Sequence, residues 1–198
     1  AASDVYKRQV LIAAMAGYAL AKGQFRGKAL FSVLVVWALL FRGEVTAIPA
    51  YFIVSELKML DTYWAMILPA FASSMGVFLV RQFATVAISN ETIEAARIDG
   101  AGEGKIFFSI GFPSIKPALL TIMIFQFQGM WNGGGGTQYI FSEKLKLLPT
   151  VMSTIAAGGI ARAGAAAAVA VVMMIPPIIV FLISQSSIME TMTESGLK

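Results

Sequence analysis

Apolar runs set apart by short polar stretches organise the whole chain. The first run covers residues 10–20. A hydrocarbon core needs about 20 residues of helix, so this run is too short to cross and reads as the end of a first spanning helix whose start is missing. Residues 1–9 have a different, polar texture and read as a tract foreign to the rest of the chain. After Lys22, Arg26 and Lys28 come residues 29–41, then Arg42-Gly43-Glu44, then residues 45–55. Neither apolar half crosses alone. Together they cover about 27 residues, roughly 40 Å at 1.5 Å per residue, which predicts one spanning helix interrupted near Gly43 and Pro49. Residues 62–80 are uncharged and predict a clean span that stops at Arg81, with Pro69 inside it, where neighbouring helices re-satisfy the freed carbonyl. A further span starts around Pro113 and Pro117 and runs to Trp131, proline being well placed in a first helical turn. Residues 132–162, with Gly133 to Gly136 and the mixed stretch Glu143, Lys144, Lys146 and Pro149, predict a re-entrant or extramembrane excursion. Residues 163–189 predict the final crossing, interrupted at Pro176-Pro177. The pattern describes an all-α polytopic membrane protein, with no long linker, repeat or second domain.

Composition narrows this further. The chain of 198 residues is 58% hydrophobic and 13% charged, where soluble domains carry about a quarter charged residues. Too little charge is present to cover a soluble exterior, so apolar surface faces lipid. Histidine and cysteine are both absent. That removes disulfides, thiolate nucleophiles, histidine-dependent triads and zinc sites with nitrogen or sulfur ligands. No catalytic residue, metal ligand or cofactor site is expected. The net charge of +4 fits orientation in a membrane better than nucleic-acid binding, since no basic run is interleaved with aromatics. Alternation of the spans puts Lys22 to Lys28, the stretch from Arg81 to Lys116 and the C-terminal tail on one side. That side carries more Lys and Arg than the other, so it is expected to be cytoplasmic.

Within the cytoplasmic stretch, Glu94-Ala95-Ala96 is followed after three residues by Gly100, and after nine more by Ile110, Gly111, Phe112 and Pro113. Ser89 or Asn90 can cap a helix beginning at Glu91, whose early Glu91 and Glu94 and later Arg97 complement the helix dipole. Gly100 ends that helix by taking the left-handed conformation. Ile93, Ala96 and Gly100 share one side, a small-residue face that another protein can approach closely. A second short helix from about Glu103 to Phe108 completes a helix, turn, helix lying across the membrane surface.

This spacing resembles the EAA signature of the membrane subunits of binding-protein-dependent ABC importers, with Phe112 where leucine is usual. Tyr18-Ala19-Leu20-Ala21, Gly43-Glu44-Val45-Thr46 with Ile48-Pro49, Thr62-Tyr63-Trp64, Leu68-Pro69, Trp131-Asn132 and Leu148-Pro149 are similar to the carbohydrate branch of these permeases, and most of all to the smaller subunit of maltose-type importers. The resemblance covers about residues 10–198 and leaves 1–9 unmatched. It implies the type I ABC importer transmembrane fold, normally with six spanning helices, of which four complete ones and the end of another are present here. It also implies a coupling loop over residues 81–113, in which Glu94 makes a polar contact, Ala95 and Ala96 allow close packing, Gly100 makes the turn, and Ile110 and Pro113 complete the signature. The implied partners are a second homologous permease, a cytoplasmic ABC ATPase dimer, an extracytoplasmic sugar-binding protein and membrane lipid, with no nucleic acid. The implied location is the bacterial cytoplasmic membrane. Two places depart from the family: Arg42 stands where proline is frequent, and Gly133 to Gly136 replaces a bulkier apolar stretch.

Other features invite chemistry. The glycines from Gly100 to Gly104 before Lys105 suggest a phosphate loop, yet Asp99 stands five before Gly104 where glycine is needed, and Ile106 stands where Ser or Thr would hold magnesium. ATP hydrolysis therefore belongs to a separate subunit, and this chain is not itself an enzyme. The four-glycine run reads as a flexible turn rather than a ligand cradle. Arg42 and Glu44 lie two residues apart, a spacing that points them apart on a helix, and read as outer-interface residues that snorkel or pair with a partner subunit. Gln126, Gln128 and Asn132 offer a polar side on the helix before the glycines, either for sugar hydroxyls in the pathway or for holding helices together. Met173 and Met174 read as packing. The alternative function is an ion-gradient-driven secondary transporter or channel subunit. Such proteins place paired carboxylates or broken helices at the midplane, and only Arg42 and Glu44 could serve.

Overall fold

A computed structural model describes residues 2–41, 43–132, 137–157 and 163–195, with only the backbone described at 2–7, 43–44, 130, 137 and 186–195. Every regular element among them is helical. In chain order the α-helices are α1 (Ala2–Lys22), α2 (Lys28–Leu40), α3 (Gly43–Glu56), α4 (Tyr63–Ala70), α5 (Ser74–Ala87), α6 (Asn90–Ile98), α7 (Glu103–Ile106), α8 (Phe112–Ser114), α9 (Lys116–Trp131), α10 (Leu148–Ala156) and α11 (Ala163–Ser195). Contacts gather them into two compact units, each discontinuous in sequence: Ala1–Ile48 with Phe71–Met123, and Pro49–Ala70 with Ile124–Lys198.

Several expected boundaries move. The backbone of residues 2–9 continues α1, and Gln9 is buried. The break in the second span falls where Phe41 turns extended (φ −83°, ψ 118°), while Pro49 sits inside α3 without ending it. Arg42 and residues 133–136 lie outside the described residues, as does the Glu44 side chain; the expectations resting on Arg42, Glu44 and the glycine run fall there. The span expected over 62–80 is two helices, because Ser73 caps a new one: its hydroxyl accepts the Gly76 N–H at 3.1 Å. Arg81 does not stop it, and α5 continues to Ala87. Pro176 and Pro177 lie within α11 and do not interrupt it.

By length and apolarity, two helical stretches among the described residues are able to cross a membrane, Tyr63–Ala87 and Ala163–Gln185. Two bent pairs qualify only if each is one span: Lys28–Leu40 with Val45–Glu56, and Glu103–Ser114 with Lys116–Gly129, the latter bent by 73°.

In the first unit, α1 and α5 make the most extensive helix pairing, and small residues make it close. Ala13, Ala14 and Gly17 of α1 meet Gly76, Val80 and Ala84 of α5. A Cβ placed on Gly17 would lie 2.6 Å from the Val80 Cβ, and one on Gly76 3.1 Å from the Ala13 Cβ. Where lipid is as apolar as leucine, such van der Waals contact is what holds helices together. Ile93, Ile106, Phe107, Ile115, Leu119 and Ile122 complete this core, so the loop after α5 and the first half of α9 are packed onto the α1 and α5 pair. Lys28 donates to the Ala21 and Gly23 carbonyls at 2.8 and 3.1 Å, satisfying acceptors at and just beyond the C-terminal end of α1.

In the second unit, α10 packs on α11, and Val54, Ala65 and Tyr139 form a small buried cluster. Pro177 has no N–H to give the Met173 carbonyl four residues earlier. The Trp131 indole N–H donates to that carbonyl at 2.8 Å, which satisfies it from another helix. Asp61, at φ 56°, donates its N–H to the Tyr139 carbonyl at 2.9 Å. Its carboxylate accepts the N–H groups of Phe141 and Ser142 at 3.0 and 2.8 Å, and the Ser142 hydroxyl. The Ser142 hydroxyl, then the two N–H groups, hold the Asp61 carboxyl below the ordinary range.

Candidate coupling surface

The loop after α5 is built by two caps. At its start, Ser89 is extended (φ −73°, ψ 148°) and its hydroxyl accepts the Thr92 N–H at 3.1 Å, so Ser89 rather than Asn90 is the N-cap of α6. Backbone N–H and the Ser89 hydroxyl hold the Glu91 carboxyl below its usual range. At the other end, the N–H of Gly100 donates to the Arg97 carbonyl and that of Ala101 to the Ala96 carbonyl, both at 3.0 Å. Gly100 itself has φ +78°. These are the paired bonds of a Schellman termination, whose left-handed residue glycine supplies without steric cost.

Across the turn, Arg97 Nε donates to Glu103 Oε1 at 2.7 Å. That hydrogen bond raises the guanidinium pKa above its ordinary value. Gly102 starts α7, accepting the Ile106 N–H at 3.0 Å. The expected second helix does not run straight on to Phe108: residues Phe107–Gly111 form a π-helical turn before α8. The wider turn brings the Phe107 ring to 5.2 Å from that of Tyr18. It also sets Gly111 against the same tyrosine, where a Cβ would lie 2.8 Å from Cε2. Ile115, with φ −96° and ψ 2°, makes the bend into α9.

The loop thus has an inner and an outer side. Ile93, Ile106 and Phe107 are buried, and Ala96 and Ile110 pack against the same core. This corrects the expectation that Ile93 belongs to a face offered to another protein: it anchors the loop to its own chain, with Ala96 half-buried beside the same core. Glu94, Ala95, Gly100 and Pro113 are exposed. Ile98, which sequence reasoning passed over, is 86% exposed. It lies about 140° around α6 from Ile93 at 100° per residue, and that offset from the buried stripe is the signal that could have found it. Arg97, Glu103, Tyr18 and Phe107 were likewise missed as a connected set, since their proximity depends on how α1 meets the loop.

The proposed pathway groups do not share one side. Gln126 is half-buried, Gln128 and Asn132 are exposed, and two residues on a helix are about 200° apart, so Gln126 faces away from Gln128. Gln128 and Asn132, four residues apart, do lie together, with the Asn132 N–H on the Gln128 carbonyl at 2.9 Å.

The chain is similar to known transport proteins. Residues 9–192 match the family described as binding-protein-dependent transport system inner membrane component. The arabinooligosaccharides transport system permease protein AraQ of Halalkalibacterium halodurans is 38% identical over 123 residues, which are 62% of this chain and 44% of that protein. The sn-glycerol-3-phosphate transport system permease protein UgpE of Yersinia enterocolitica is 32% identical over 156 residues, 79% of this chain and 51% of that one. The chain spans about half the length, or less, of these curated relatives. In a crystal structure of a bacterial ABC transporter involved in the import of the acidic polysaccharide alginate, one chain superposes with a TM-score of 0.75 at 26% identity, covering 91% of this chain and 70% of that one. With the family match extending over nearly all of its helices, this chain belongs to the binding-protein-dependent transport system inner membrane components.

Proposed function

We propose that this chain is a permease subunit of an ATP-driven importer for a sugar or oligosaccharide, spanning the bacterial cytoplasmic membrane. It works with a second homologous permease, a cytoplasmic ATPase dimer and an extracytoplasmic sugar-binding protein. One observation carries this: the loop over residues 81–113 is a surface anchored inside and bare outside. Its inner residues Ile93, Ile106 and Phe107 are locked to α1, α5 and α9, while Glu94, Ala95, Ile98 and Gly100 face outward. A handle of this kind transmits force, because displacement of its outer side must carry the packed helices with it. In this scheme ATP closes the ATPase dimer, the loop moves with it, and the helices open toward the binding protein. Glu94 supplies a polar contact, Ala95 a close one, and Ala96, Gly100, Ile110 and Pro113 hold the loop's shape. Gln126, Gln128 and Asn132 are the polar groups nearest to a pathway role, with Gln128 and Asn132 acting from one side. A relative named as an arabinooligosaccharides transport system permease supports the substrate class.

Uptake into vesicles tests this. Membranes carrying the chain and its second permease should accumulate sugar only when the ATPase partner, ATP and the binding protein are all present. Accumulation driven by an imposed ion gradient without the ATPase would instead establish a secondary transporter.

A further inference from the structure

Two cavities adjoin where the polar turn after α1 meets the coupling loop. The larger, about 570 Å³, has Met15, Tyr18, Phe25, Phe107 and Phe108 among its walls. The smaller, about 160 Å³, is polar, with Lys22, Lys28, Asn90 and Glu94 among its walls. Gly23, Gln24 and Arg97 line both. An apolar chamber and a cationic one therefore share a wall. Lys22, Lys28 and Arg97 line the smaller cavity together with Glu94, and among the described residues Arg97 is paired with Glu103 through Nε. Lys22 is bonded to Asn90 Oδ1 and the Thr85 carbonyl, and Lys28 to the Ala21 and Gly23 carbonyls. Each ammonium keeps a third donor, and the guanidinium its outer N–H groups. The Tyr18 hydroxyl, on a side chain only 5% exposed, has no hydrogen-bond partner among the described residues. A buried hydroxyl without a partner is uncommon and points to an occupant. Met15, Phe25 and Phe108 are exposed beside the chamber, which suits a hydrocarbon chain better than water.

We propose that this double cavity binds an anionic phospholipid of the inner leaflet. The phosphodiester rests on Lys22, Lys28 and Arg97, an acyl chain enters the chamber against Tyr18 and Phe107, and the Tyr18 hydroxyl donates to a lipid oxygen. Bound there, the lipid bridges α1 and the coupling loop. This rests on the assignment of the α1 to α2 turn to the cytoplasmic membrane surface.

The test uses the full chain, equilibrated with vesicles of phosphatidylglycerol and phosphatidylcholine of matched acyl chains, extracted in mild detergent and weighed by native mass spectrometry. Phosphatidylglycerol should be retained with about tenfold preference, given the attraction of each basic residue for anionic lipid. Lys22→Gln with Lys28→Gln should abolish the preference, while Lys144→Gln with Lys146→Gln should keep it, both with unchanged helicity by circular dichroism. Equal retention of the two lipids, equal loss in both variants, or displacement of the lipid by millimolar inorganic phosphate overturns the proposal. Labelling of Gln24→Cys in sealed cells separates it from the functional reading: reaction from outside contradicts the permease topology, whereas protection from outside with no lipid preference contradicts only the lipid site.

Discussion

Substitution of Gly100 by valine should abolish uptake and weaken association with the ATPase while leaving membrane insertion unchanged. The constraint at Gly100 is conformational. A Cβ there meets nothing within 4 Å among the described residues, but the backbone stands at φ +78°. Holding an L-residue left-handed costs on the order of 1–2 kcal/mol, and a β-branched side chain is the least tolerant of it. The chain escapes that cost by giving up the bonds from Gly100 to Arg97 and from Ala101 to Ala96, which reorients α7 relative to α6. Insertion depends on the apolar helices and is untouched. Gly102 offers the control: it has φ −70° and equally open space, so Gly102→Ala should transport normally. Uptake assays and copurification with the ATPase read both variants. Wild-type behaviour of Gly100→Val in both assays would sink the coupling role of the loop.

The largest effect on stability is expected at Gly17. A leucine there must place its Cβ where the Val80 Cβ and Cγ1 and the Val77 carbonyl oxygen lie at 2.6, 2.7 and 2.8 Å. One of these is backbone, so rotamer changes alone cannot make room, and α1 and α5 must separate. Overpacking of this kind costs about 1–3 kcal/mol, and here it also strips contacts from Ala13, Ala14, Val80 and Ala84, all of them buried. The thermal midpoint in detergent should fall by about 5 °C or more. Gly129, inside α9 with open space around it, gives the contrast: Gly129→Ala should hold the midpoint or raise it, because alanine restricts the unfolded chain. Equal midpoints for Gly17→Leu and the unaltered chain would mean that the α1 and α5 pairing is not the close one described.

The spacing of the loop over residues 81–113 was legible because it depends on local backbone chemistry. A serine that accepts an N–H and a glycine at positive φ act on their nearest neighbours, so residues 89–101 announce their caps without knowledge of the fold. The outward side of the loop was not legible. Ile93, Ala96 and Gly100 share a small face by periodicity, but periodicity does not say whether such a face meets another protein or the chain's own core. Packing against α1 and α9 decided that, turned Ile93 inward and left Ile98 bare. The prolines illustrate the same limit. Pro49, Pro176 and Pro177 were expected to interrupt helices and do not; at Pro177 the Trp131 indole N–H, 42 positions from Met173 in sequence, satisfies the carbonyl left open.

By itself, the sequence determined that this protein is helical and built for lipid: 58% hydrophobic and 13% charged residues allow no soluble exterior, and that balance acts on every residue wherever it is placed. It also determined the capped turn at Gly100. Only the tertiary structure decided which small residues let α1 approach α5, which side of the loop over residues 81–113 is free, and that a cationic pocket and an apolar chamber share Arg97. Those depend on distances between residues far apart in the chain, which are set by how the helices pack rather than by the order of residues along any one of them.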